Sequence, residues 1–340
     1  MSNMNPREVI LANIEHSGAP RPGLCFDRGR HNDFFACGCG EPIGYRQKRW
    51  VEGNLEYYDD PWGNLWCRML DGCIRGEVHT PAITDWDQLK SYRPPQYDIA
   101  KVADNFRAEF AKDRRNRFKL AHVGGWIFDS ARYLRKMEVY FTDMALYPEE
   151  LRQLHRLVAS TYEGKILAAG RANADGIMIG EDMGTQQGLL FSPGMWRDYF
   201  SDEYSRLFAL AHECGMKVLM HSCGKNWEIL PDLLAAGVDV FQFDQPTIYD
   251  MPRLAALLKE SHAALWSPVD IQKIMPSGDR QIITEGAREM CRIFEGGLIC
   301  KNYPDLPGIG VEPAWDQWAY EAICEFSGLS PLDDDKPAAE

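Results

Sequence analysis

His221 and Cys223 carry side chains that ligate soft divalent metals, and one position separates them. On an extended segment alternate residues face the same way, so this imidazole and thiolate would converge on one point. Zn²⁺ accepts both, and a catalytic zinc typically takes about three protein ligands and keeps one position open. Cys300 ends another apolar run and is the best-placed thiol for a third ligand. Glu181 ends a third run and offers a carboxylate beside the metal, or a fourth ligand. An isolated His-x-Cys pair is more often a buried histidine and a packed small cysteine. Here Gly224 follows directly and carboxylates end several other apolar runs, which favours a metal.

Other residue types suit the remaining work of such a site. Glu181, Asp182, Asp244 and Asp270 are candidate proton donors, and a carboxyl with a raised pKa is what that role needs near pH 7. Trp62, Trp66, Trp126 and Phe128 could wall an apolar pocket for a flat substrate. Residues of this kind more often glue one part of a chain to the rest, here the first part to the barrel. Asp27, Arg28 and Arg30 follow an early apolar run, and arginine matches a carboxylate bidentately. A surface ion pair accounts for them as well. Gln245, next to Asp244, adds a polar substrate contact. Cys37-Gly38-Cys39-Gly40 reads as a Gly-rich loop with no histidine near it, and the other cysteines read as packing residues.

Some scaffold must bring these run ends together. Short apolar runs at Gly23–Asp27, Phe118–Val123, Gly176–Gly180, Lys217–His221, Val238–Phe243, Ala264–Pro268 and Gly297–Cys300 read as strands. Between them, Ile127–Phe141, Glu149–Arg171, Pro193–Cys214, Trp227–Ala235, Met251–Leu258, Ile282–Phe294 and Pro313–Phe326 read as helices. Such alternation implies parallel strands with crossover helices. The chain has 340 residues, and a (β/α)₈ barrel needs about 250. The favoured fold class is therefore α/β, a (β/α)₈ TIM barrel with an elaborated N-terminal subdomain and one strand still to be found. An open doubly wound sheet is the alternative, but no G-x-G-x-x-G follows a strand. Residues 1–110 read as an irregular N-terminal subdomain that includes the first barrel strand. Residues 111–330 complete the barrel, and 331–340 form a frayed tail. Active sites of such barrels lie at the C-terminal ends of the strands, where the candidate residues fall.

Charge and composition narrow the function. Lys plus Arg number 37 against 50 Asp plus Glu, a formal net charge of −13. That argues against a nucleic-acid binder and against adsorption to anionic lipid. No apolar run approaches the ~20 residues of a membrane span, and the start lacks the apolar stretch of a signal peptide. A cytoplasmic location with reduced thiols is expected.

The run Gly180-Glu181-Asp182-Met183-Gly184-Thr185-Gln186, then Ser192-Pro193-Gly194-Met195-Trp196, then His221-Ser222-Cys223-Gly224 with Leu230-Pro231-Asp232-Leu233 and Gly237-Val238-Asp239 resembles the uroporphyrinogen decarboxylase superfamily. Within it the chain looks like the corrinoid-dependent methyltransferase branch. Asp60-Pro61-Trp62-Gly63, Gly124-Gly125 and Gly296-Gly297 fit the same pattern. The resemblance implies a barrel with zinc at its C-terminal mouth, with His221 and Cys223 as the first two ligands. Where the branch usually has its third ligand, after the last Gly-Gly, this chain has Pro304, four residues beyond Cys300. The implied reaction moves a methyl group between a small substrate and the cobalt of a corrinoid. An aryl methyl ether is the favoured donor, given the aromatic N-terminal half. No D-x-H-x-x-G corrinoid motif is present, so a separate corrinoid-binding protein is the expected partner, and a homodimer is possible. Three alternatives stay open: a metal-free decarboxylase, a methylcobalamin:thiol methyltransferase, and a non-catalytic barrel that binds a small aromatic.

Overall fold

The computed structural model describes residues 4–27, 29–70 and 76–332. Helix α1 (Pro6–Ile14) starts at a capping box, Asn5 with Glu8. Strands β1 (Gly23–Cys25) and β2 (Phe34–Gly38) follow. Next come four antiparallel strands, β3 (Arg49–Glu52), β4 (Leu55–Asp59), β5 (Leu65–Met69) and β6 (Glu77–Thr80), and then helix α2 (Ile99–Phe110). The chain continues through β7 (Phe118–Gly124), α3 (Ile127–Arg135), α4 (Met137–Leu146), α5 (Pro148–Arg171), β8 (Gly176–Gly180), α6 (Pro193–Tyr199) and α7 (Ser201–Glu213). It closes with β9 (Lys217–His221), α8 (Leu230–Ala236), β10 (Val240–Gln242), α9 (Met251–Glu260), β11 (Ala264–Ser267), α10 (Arg280–Ile293), β12 (Leu298–Lys301) and α11 (Pro313–Phe326).

Eight of these strands form one parallel sheet in the order β1-β12-β11-β10-β9-β8-β7-β2. Its two edges, β1 and β2, are neighbours in sequence and approach through a single bridge, Cys25 to Asn32. Buried Asp33 holds this seam: it takes the Leu24 N–H at 2.8 Å and pairs with Arg21 at 2.6 Å. The result is a nearly closed (β/α)₈ barrel. The strand missing from the sequence reading is β2, which includes Cys37 and Gly38. Glycine and alternating exposure hid it, since only Phe34 is fully buried along it.

Two long helices expected from periodicity are each broken in two. Ile127–Phe141 divides at Lys136, a non-glycine residue at φ 71°. The break lets Arg135 at the end of α3 pair with Asp143 of α4 at 2.7 Å, both buried. Pro193–Cys214 divides at Phe200, whose buried ring packs on Phe128, Phe191 and His155.

Register sets which side chains enter the barrel. His221 pairs with Gln242, Gln242 with Trp266, and Trp266 with Ile299. Side chains alternate along a strand, so His221, Gln242, Trp266, Ile299 and Lys301 all face inward, while Cys300 faces the surrounding helices. Beneath the mouth, Phe34, Phe118, Leu120, Leu219, Val240, Ala264, Trp266 and Ile299 fill the interior, and Ile10 and Ile14 of α1 plug its lower end. This packed layer makes the barrel a core with a shallow cup above it, not a pore.

Candidate metal centre at the barrel mouth

The strand ends β8 and β9 carry the chemistry. Gly180 ends β8, and a Cβ there would sit 3.4 Å from the Cβ of His221, so glycine gives the imidazole room. After His221 the chain turns at Gly224, at φ 80°, where a Cβ would lie 2.2 Å from the backbone of Gly184. Only glycine lets the loops after β8 and β9 touch there. Buried Asn226 donates to Ser222 Oγ at 2.9 Å, and Tyr249 donates its hydroxyl to the Gly224 carbonyl at 2.8 Å. The turn is therefore held from below.

That contact swings Asp182 over Cys223. Asp182 Oδ1 accepts the Cys223 N–H at 3.0 Å and lies 3.4 Å from His221 Nε2. His221 Nε2 in turn lies 3.4 Å from Cys223 Sγ. One oxygen, one nitrogen and one sulfur thus lie within 4.8 Å of one another. Tetrahedral zinc bonds of about 2.0–2.3 Å place neighbouring ligand atoms about 3.3–3.7 Å apart, a spacing that the His221–Asp182 and His221–Cys223 separations match.

Behind the imidazole stands a relay. His221 Nδ1 lies 2.6 Å from Gln242 Oε1, and Gln242 Nε2 donates to Asp244 Oδ1 at 2.7 Å. Lys301 Nζ donates to the same Asp244 oxygen at 3.2 Å. Asp244 as acceptor fixes which way the amide points, and the amide oxygen then fixes the proton on Nδ1. Nε2 faces Asp182 and Cys223, the orientation a metal ligand needs once its own proton has left. In the bare protein, burial alone would lower the His221 pKa. The Asp182 and Cys223 groups outweigh it and push it up to about 10. Burial would likewise raise Asp182, but His221 and the Cys223 N–H hold its carboxyl far below the usual range. Burial raises the Cys223 thiol, with His221 opposing.

Glu181 sits beside this cluster and is fully buried. Its Oε2 accepts the N–H groups of Phe128, at 2.8 Å, and Asp129 at the start of α3, while Oε1 has no partner. Burial, and then the Asp129 charge, push its pKa well up, which favours the protonated carboxyl. A cavity of about 580 Å³ opens onto Glu181, Asp182, His221, Gln242, Asp244 and Lys301.

A family model described as uroporphyrinogen decarboxylase (URO-D) matches residues 74–301, which contain every one of these residues. The chain belongs to the URO-D family. Among solved structures, a methyltransferase from Methanosarcina mazei superposes with a TM-score of 0.58 at 14% identity, covering 75% of this chain and 72% of that one. It shares the fold. A D-psicose 3-epimerase from Clostridium cellulolyticum H10 reaches only 0.41 at 11% identity, over 72% of this chain and 86% of its own. No curated protein matches the chain significantly. No described helix of this URO-D family member is long and apolar enough to cross a membrane.

Of the residues singled out from the sequence, Glu181, Asp182, His221 and Asp244 line the mouth cavity, and Cys223 meets His221 and Asp182 at its rim. Cys300 is corrected by register. It is 0% exposed, packed in the outer core with its sulfur 4.0 Å from Cys291 of α10. Asp182 completes the cluster in its place. Asp270 is also corrected: it is buried in its own loop, accepting from Thr247, Gln272 and Lys273. Trp126 and Phe128 lie wholly in the core behind β7 and β8, Trp126 on Tyr162 and Phe208, Phe128 on Tyr140 and Phe191. Trp66 stacks on Tyr58 in the antiparallel sheet, and Trp62 packs against Tyr162. None of these four faces the mouth cavity. Gln245 accepts from Gln186 at 3.1 Å, away from the cluster. Asp27 pairs with Arg30, which also pairs with Asp316 of α11; Arg28 lies outside the described residues. Sequence reading missed Gln242 and Lys301. Both sit at the inward parity of their strands, a signal that requires the register.

Proposed function

We propose that this protein is a zinc-dependent methyltransferase of the URO-D family. It moves a methyl group from a small methylated substrate, favoured as an aryl methyl ether, to the cobalt of a corrinoid carried by a separate protein. The observation that carries the reading is the Asp182–His221–Cys223 cluster, with His221 Nδ1 fixed through Gln242. A zinc ion held there supplies Lewis-acid polarisation of the ether oxygen. The chain's own residues do the rest. Asp182, His221 and Cys223 hold the ion, Gln242 orients the imidazole, and the Asp244–Lys301 pair holds Gln242. Transfer of the methyl group to Co(I) would leave the electron pair of the methyl–oxygen bond on the oxygen, which would need a proton. Glu181, whose pKa burial pushes well up and whose Oε1 has no protein partner, stands beside the cavity as the candidate donor.

Charge argues against decarboxylation of a polyanion. Around the cavity Asp182, Asp244 and Asp305 outnumber Lys301, Lys301 is already paired, and Asp129 is matched by Arg132. A substrate with many carboxylates needs an excess of positive charge. The test is methyl transfer to free cob(I)alamin, followed by the spectrum of methylcobalamin. Zinc-replete protein with methoxylated aromatics forms the product, and the Cys223→Ser variant does not. If zinc-replete protein transfers nothing from methoxylated aromatics, methanol or methylated thiols, the proposal fails.

A further inference from the structure

The antiparallel sheet, in the order β3-β4-β5-β6, has β3 at one edge, and all four residues of that strand are exposed. Trp50 is 40% and Val51 54% exposed, large apolar side chains for a free edge. An open edge strand of this kind is a template for pairing with another chain. The opposite edge, β6, instead shares a cavity wall with α3 and α4.

The hairpin decides which backbone groups of β3 are free. β3 and β4 join through the two-residue turn Gly53-Asn54, with Gly53 at φ 62° and Glu52 opposite Leu55. Such a turn closes on a hydrogen-bonded pair, and bonded pairs then alternate along the ladder. Glu52 and Trp50 therefore turn their backbone groups toward β4. Lys48 keeps the same parity: its carbonyl accepts the Asp59 N–H at 3.1 Å. The N–H and C=O groups of Arg49 and Val51 point the other way, off the sheet.

A second copy of this chain matches these groups. Let two β3 strands meet antiparallel about a twofold axis at Trp50. Arg49 then lies opposite the partner's Val51, and Val51 opposite the partner's Arg49, so the free groups bond one another. Trp50 meets the partner's Trp50 as the non-hydrogen-bonded pair, the closer kind for side chains. Side chains alternate along a strand, so Lys48, Trp50 and Glu52 share one face. On that face Lys48 stands opposite the partner's Glu52, and Glu52 opposite the partner's Lys48; both are exposed and available. Trp50 already stacks on Tyr57 at 5.5 Å and 13°, so four rings line up across the axis. An axis at Val51 would use the same backbone groups but set Lys48 against the partner's Asn54 and Trp50 against the partner's Glu52. Charge complementarity selects Trp50. A surface that complements itself under a twofold is what a symmetric dimer requires.

We propose that β3 is a dimer edge: a second copy adds its own β3 antiparallel, with the axis at Trp50, and the two sheets become one of eight strands. The proposal is independent of the reaction assigned to the barrel mouth.

Sedimentation equilibrium on the full chain tests it and is expected to show a concentration-dependent dimer. Lys48→Glu and Glu52→Lys each set like charges opposite one another twice, and each raises the dissociation constant about tenfold or more. The double variant Lys48→Glu/Glu52→Lys exchanges the charges and restores the dimer. Val51→Pro removes only an outward N–H, which an edge strand tolerates, and gives a monomer. Thermal melts establish that each variant is folded, and the charge exchange decides the matter even if the proline variant is not. Wild type that is monomeric at every concentration, even if a different protein slows amide exchange at Arg49 and Val51, would overturn the proposal. So would a dimer that neither charge reversal weakens, or a folded double variant that stays monomeric.

Discussion

Gln242 makes no contact that would draw notice in the sequence, yet the geometry of the cluster depends on it. It accepts the Nδ1–H of His221 at 2.6 Å and is itself held by Asp244 at 2.7 Å. Gln242→Leu keeps the volume, removes the acceptor, and leaves Nδ1–H buried and unpaired. The imidazole then loses both its fixed tautomer and its aim at Asp182 and Cys223. Loss of such an outer partner typically costs 10–100-fold in metal affinity, about 1.4–2.7 kcal/mol. The assay is zinc competition with a chromophoric chelator at fixed pH, with a thermal melt beside it to establish folding. The expected result is a folded variant whose zinc dissociation constant rises 10–100-fold. Unchanged affinity in Gln242→Leu would refute the positioning role, provided Cys223→Ser loses zinc in the same assay.

Three further outcomes follow from the same structure. Zinc uptake must displace the His221 proton, held up to about 10, and the proton of the raised Cys223 thiol. Near pH 7.5 calorimetry in buffers of different ionisation enthalpy should therefore report about two protons released per zinc, and affinity should rise with pH; release of less than one contradicts the cluster. Cys300→Ser should retain full zinc affinity but melt earlier, because it places a hydroxyl in an apolar layer, at about 1–3 kcal/mol. Buried His155, held between Tyr140 and the Tyr199 carbonyl, is lowered to about 3 by burial. Its contribution is complete above about pH 6.5 and is lost as pH falls toward 3, because the unfolded chain takes up the proton first. Stability should drop by up to about 1.4 kcal/mol per pH unit there, a slope that His155→Gln should remove in urea titrations between pH 6 and 4.

The barrel was legible because its strands are short apolar runs and its helices carry clear periodicity. β2 escaped because Gly38 and half-exposed positions break the apolar pattern. His221 and Cys223 were legible because they are local to one strand end, and the Gly224 turn beside them is visible in sequence. The third member was not. Choosing Cys300 over Asp182 required the register of β12, and a slip of one residue reverses the face of a strand. Chemical type favoured the thiol, while geometry presents Lys301 inward and sends Cys300 toward Cys291. The aromatics misled for a related reason. Trp126 and Phe128 have the composition of a ligand pocket, but they sit on the side of α3 and β7 that faces other helices. Trp266, unremarked in the sequence, is the tryptophan that enters the barrel.

X-ray absorption at the zinc edge tests the central claim most directly, because it counts sulfurs. The cluster Asp182–His221–Cys223 predicts one zinc per chain with a single sulfur at about 2.3 Å and nitrogen or oxygen ligands at about 2.0–2.2 Å. Two sulfurs around the metal, or protein purified without chelator that carries no zinc, would contradict it.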